Sequence, residues 1–191
     1  MRFLFVSIVL FAALTASAQQ PDYRPGAAAK FFAGLTLVDQ NGRTVDLYKD
    51  VMKGHTVAIH SFFASCTGAC PVMLGTVRSL QTRLGDRMDR EVRLVSITVD
   101  PANDTPAVLK ETARKFSAKK GWIFLTGTKE QVDAALRKIG QYTAVRENHQ
   151  NLIMAGNDQT GLWKKIHAMA TPAEVGDALL SVADDKVKSG G

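Results

Sequence analysis

Thr56-Val57-Ala58-Ile59-His60-Ser61-Phe62-Phe63 runs directly into Ala64-Ser65-Cys66-Thr67-Gly68-Ala69-Cys70-Pro71. The first eight residues are mostly apolar and of strand length, as expected for a strand covered on both faces. After the second segment, Met73, Val77, Leu80 and Leu84 recur at helical spacing, and Gly85 closes the period. The stretch therefore reads as a strand, a tight loop and a helix. Both cysteines of the chain lie where loop becomes helix.

Downstream the pattern repeats. Val92 to Val99 alternates as a strand, and Asp100-Pro101-Ala102-Asn103 breaks it. Asp104-Thr105-Pro106 then opens a helix to about Lys119. Trp122 to Leu125 is a third core strand, and Thr128-Lys129-Glu130-Gln131 starts a helix ending near Gly140. Leu152 to Ala155 and Gly161 to Ile166 read as a hairpin around Asn157-Asp158-Gln159-Thr160. Thr171-Pro172-Ala173-Glu174 carries cap, first-turn proline and capping-box acid for a last helix. Upstream, Phe32 to Val38 and Arg43 to Leu47 flank Asn41-Gly42, a hairpin signal. Alternating strands and helices predict an α/β domain, a central mixed sheet flanked by helices with an N-terminal β-hairpin.

The chain has 191 residues and a net charge of +6, with 46% hydrophobic and 22% charged residues. That suits one globular domain. The basic excess is spread out, without aromatic interleaving, so nucleic acid is not an expected partner. Residues 1–18 read as a secretory signal: Arg2, the apolar run Phe3 to Leu14, and the small residues Ala16-Ser17-Ala18. An uncleaved N-terminal anchor is the alternative. Residues 19–30 read as a flexible lead-in, 31–185 as the domain and 186–191 as a polar tail. Export to the periplasm and a monomer are expected.

In an exported chain two cysteines usually form a disulfide. One bridge across so short a loop stabilises little, since stabilisation grows with loop length. Redox chemistry and metal binding are the better explanations. On a helix, positions i and i+4 share a face, and a helix N-terminus favours thiolates. Thiolates attack disulfides and bind soft metals. Of the four histidines, His60 reads as a core residue, His55 as exposed and His167 as the end of a strand. His149 stands in the polar loop Arg146-Glu147-Asn148-His149-Gln150-Asn151, where functional groups concentrate.

Four stretches resemble the Sco/SenC family of copper-handling, thioredoxin-like proteins. They are Phe62 to Pro71 with its CxxxCP pattern, Val95 to Pro101 with Asp104-Thr105-Pro106, Leu125 to Thr128 with Glu130-Gln131, and His149. The resemblance implies a thioredoxin-like fold and a copper site of Cys66, Cys70 and His149. It implies a metallochaperone rather than an enzyme, passing copper to, or reducing, the copper centre of a respiratory oxidase. The implied partners are a copper-accepting oxidase subunit and a dithiol reductant protein. Asp100 is expected to help order the loop beside the site. The rival reading is a thiol-disulfide oxidoreductase, with Cys66 attacking and Cys70 resolving. Such enzymes favour CxxC and a proline facing the pair. This chain has CxxxC and no proline just before Leu152.

Overall fold

The computed structural model describes residues 26–186. The signal, most of the lead-in and residues 187–191 lie outside them. The elements are α1 (Ala27–Phe31), β1 (Thr36–Asp39), β2 (Thr44–Asp46), β3 (Thr56–Phe62), α2 (Ala69–Leu84), β4 (Val92–Thr98), α3 (Pro106–Lys115), β5 (Trp122–Thr126), α4 (Lys129–Lys138), β6 (Leu152–Asn157), β7 (Trp163–His167) and α5 (Pro172–Ala183).

The strands form one sheet in the order β2-β1-β5-β4-β3-β6-β7. β3 pairs in parallel with β4, and β4 with β5. β6 runs antiparallel to β3, and β7 to β6. The hairpin partners β1 and β2 pair antiparallel, and β1 also pairs with β5. Every residue of β3 is buried, as its unbroken apolar run requires. On one face Ala58, Phe62, Leu94 and Phe124 pack under α2, α3 and α5 through Met73, Val77, Leu109, Val175 and Leu179. On the other, Val57, Ile59, Val95, Ile97 and Leu125 pack under α4 through Val132, Ala135 and Leu136.

The helix starts expected from the sequence are present. Thr105, Thr128 and Thr171 cap α3, α4 and α5, and the last two complete capping boxes with Gln131 and Glu174. Helix α3 stops at Lys115, four residues before the expected Lys119, where Ser117 takes a positive φ of 53°. Two elements differ from the sequence reading. Residues 27–30, read as lead-in, belong to α1, because Ala28 and the following Phe32 bury against the second core. Leu47–Met52 make a π-helical turn whose Leu47, Val51 and Met52 plug that core, and Asp46 caps it through the amides of Tyr48 and Lys49.

His60 is a core histidine, as the sequence reading favoured. Its Nε2 lies 2.6 Å from Ser96 Oγ, which accepts from Trp122 Nε1 at 2.9 Å. Burial pushes its pKa down to about 4, so the ring is neutral at pH 7. A depressed folded-state pKa contributes stability above the unfolded value of 6.5, and loses it as pH falls toward 4. Denaturant unfolding should therefore show a loss on the order of 3 kcal/mol across that window. His60→Gln should flatten the slope; an equally steep slope in the variant would contradict this.

Candidate metal centre

Strand β3 ends at Phe62, and the chain must turn before α2 can begin at Ala69. Gly68 is the N-cap of α2 and closes that turn. Pro71 sits in the first helical turn, where a missing N–H costs nothing. The loop is pinned from below by Asp104. Its Oδ2 accepts from the Ala64 amide at 3.1 Å and from Thr98 Oγ1 at 2.5 Å. Asp104 is 2% exposed, and burial raises its pKa. The segment Asp100 to Pro106 thus fixes the cysteine loop from the end of β4.

The second half of the site arrives on the segment before β6. Gln141 Oε1 accepts from the Ser61 amide at 2.8 Å, one residue beyond the last β3–β6 pair, His60↔Ile153. Gln141 thereby stands in for a strand partner, and the chain leaves the sheet to carry Arg146–Asn148 and His149. The His149 ring meets Phe63 edge-on, with centroids 5.7 Å apart at 89°. Arg146 lies over the same Phe63 ring, 5.1 Å from its centroid, and pairs with Asp100 and Glu147.

These supports bring Cys66, Cys70 and His149 together. One donor atom from each lies within 4.8 Å of the other two. Cys70 Sγ is 3.1 Å from His149 Nε2, and both thiols are free. His55 and His167 do not join the group; His55 Nδ1 contacts the Lys53 carbonyl oxygen instead. A cleft of about 350 Å³ opens over the cluster, lined by Phe63, Cys66, Gly68, Arg146, His149 and Asn151 among others.

The electrostatics differ from the sequence expectation at one point. The start of α2 favours thiolates, but Cys70 is 1% exposed. Burial, and then the Cys66 neighbour, push its pKa up to about 12. Burial also pushes the His149 pKa down. Both groups are therefore neutral at pH 7, and Cys70 Sγ and His149 Nε2 share one hydrogen bond. Two sulfurs and an imidazole suit a soft or borderline metal, which would take the place of the Cys70 proton.

The sequence alone does not mark Arg146, Asp104 or Gln141 as site residues. In the sequence Asp104 reads as a helix opener, and Arg146 and Gln141 carry no signal beyond nearness to His149.

A family model described as SCO1/SenC matches residues 24–170. The chain belongs to the SCO1/SenC family. This SCO1/SenC chain is 36% identical over 115 residues to an SCO2-like protein of Rickettsia prowazekii, covering 60% of this chain and 53% of that one. It is 33% identical over 120 residues to protein SenC of Rhodobacter capsulatus, covering 63% and 52%. The chain spans about half the length of the curated relatives it matches. Its fold is that of yeast Sco1, solved with copper bound, at a TM-score of 0.67 and 23% identity over 81% of this chain and 89% of that one. The SCO1/SenC fold is thioredoxin-like, as the sequence resemblance implied.

The two thiols should differ in reactivity. In reduced, metal-free protein at pH 8, iodoacetamide should label Cys66 in a Cys70→Ser variant. It should label Cys70 in a Cys66→Ser variant at least ~10-fold more slowly, because burial both shields the Cys70 sulfur and disfavours its thiolate. Equal rates would contradict the assignment.

Proposed function

We propose that this chain is an exported copper-binding metallochaperone. Cys66, Cys70 and His149 hold the ion as cargo, and the protein passes it to, or through its two thiols reduces, the copper centre of a respiratory oxidase. The observation that carries the reading is the convergence of two sulfurs and one imidazole nitrogen within 4.8 Å. Membership of SCO1/SenC and the copper in the yeast Sco1 structure support it. No helix among the described residues is long and apolar enough to cross a membrane. The periplasm, reached through a signal over residues 1–18, is the proposed location.

The geometry suggests an order of events. Cys66 is half-buried and lines the open cleft, whereas Cys70 lies beneath it. Copper arriving on a donor thiol meets Cys66 first. Cys70 then gives up its proton, and Nε2 of His149, already neutral and aimed at Cys70, supplies the third donor. Release reverses the sequence: a partner's ligand displaces the donors one at a time, and Cys66 is the last tie to leave. Both cysteines must be reduced to load, so an external dithiol protein is the proposed reductant.

Reduced wild-type protein should bind one Cu(I) per chain in competition with a chelator. His149→Ala should weaken binding by at least the ~10–100-fold that losing an outer-shell partner costs a metal site. Cys66→Ser and Cys70→Ser should abolish tight loading without unfolding the domain. Affinity should rise by at least about tenfold per pH unit between pH 7 and 9, because each ion displaces at a minimum the Cys70 proton. Unchanged affinity in His149→Ala, together with efficient turnover of a disulfide substrate, would sink the chaperone reading in favour of a dithiol oxidoreductase.

A further inference from the structure

The segment that carries His149 is loosely attached. Between Gln141 and β6 it makes no strand pairs. Among the described residues, two polar side-chain ties leave positions 143–150: Cys70 with His149, and Asp100 with Arg146. The first is the site itself, so the second is the tie that holds this segment whether or not the site is filled.

Its anchor is rigid. Asp100 accepts from Asn103 Nδ2 on both carboxylate oxygens at 2.9 Å, and its amide donates to Thr98 Oγ1 at 2.9 Å. Thr98 Oγ1 in turn donates to Asp104, which holds the cysteine loop at Ala64. The side chain of Asp100 is 10% exposed, that of Arg146 40%. Arg146 is also coupled to the ligand through its backbone, because its carbonyl accepts from the His149 amide at 3.2 Å. The guanidinium lies over Phe63, whose edge the His149 ring contacts. A planar fork that pairs a carboxylate and stacks on an aromatic ring is a task for arginine and not for lysine. Arg146 is also the wall shared by the cleft over the cluster and a neighbouring cleft of about 490 Å³ beside Asp100 and Thr128.

We propose that Arg146 is a positioning residue for the metal centre: locked to Asp100 and stacked on Phe63, it sets where His149 Nε2 stands relative to the two sulfurs. One rigid body, the turn after β4, then indexes both halves of the site, the cysteines through Asp104 and the histidine through Arg146. The inference rests on the reading that Cys66, Cys70 and His149 bind copper, but its structural half does not depend on the metal.

The test uses Arg146→Gln, Arg146→Lys, Asp100→Asn and the Asp100→Asn/Arg146→Gln double variant in the reduced protein. Cu(I) affinity, thermal midpoint and, without metal, amide hydrogen exchange over 143–151 are measured. Arg146→Gln should lower affinity by ~10–100-fold, the range for outer-shell residues. It should speed exchange in 143–151 and leave the thermal midpoint unchanged. Arg146→Lys should recover only part of the affinity, and the double variant should be no worse than the more damaging single. Affinity within ~3-fold of wild type, full rescue by lysine, additive losses, or a loss matched by a lowered midpoint would each overturn the positioning role. If wild-type protein fails to bind Cu(I), the copper reading fails; unchanged exchange in Arg146→Gln overturns the positioning role independently.

Discussion

The structure depends on one topological constraint: β3 lies between a parallel neighbour, β4, and an antiparallel neighbour, β6. The C-terminal ends of β3 and β4 and the N-terminal end of β6 must then meet at the same edge of the sheet. The cysteines follow β3, Asp100 and Asp104 follow β4, and His149 precedes β6. Residues far apart in the chain therefore converge without any special long loop. This is the place where α/β sheets generally put their ligands, beyond the carboxyl ends of parallel strands.

Convergence alone does not make a metal site; the protons must also be in the right place. Burial outweighs the helix N-terminus at Cys70, so the thiol stays protonated beside a neutral imidazole. A buried thiolate without a metal would be a costly unpaired charge. Keeping the proton on sulfur avoids that cost and ties tight loading to proton release. The half-buried Cys66 keeps one donor reachable from the cleft. The pair thus differs in access within a few ångströms, one sulfur reachable and the other covered.

Much of this was legible in the residues. The apolar run of β3, the helical period after Cys70 and the threonine caps place the elements, because each is a local signal that packing reinforces. The spacing of Cys66 and Cys70 suggests metal or redox chemistry, and the family resemblance carried by CxxxCP and Asp100 to Pro106 adds His149. What stayed hidden was whatever depends on contacts between distant segments. Asp104 reads as a helix opener until its carboxylate is seen holding Ala64. Gln141 is an ordinary polar residue until it takes over from β6 as the partner of the Ser61 amide in β3. Arg146 is one of many basic residues until Asp100 and Phe63 flank it. Helix α1 and the π-helical turn form because their apolar residues find the second core, which no local pattern reveals. The Cys70 proton followed the same logic: the local dipole argued one way and burial decided the other.

The central claim is that two sulfurs and one imidazole nitrogen share a single copper ion. X-ray absorption on the reduced protein loaded with one equivalent of Cu(I) tests it most directly. The account predicts a first shell of two sulfur scatterers and one nitrogen, with the outer-shell signature of an imidazole that disappears in His149→Ala. A shell of sulfur alone, or one unchanged by His149→Ala, would contradict it.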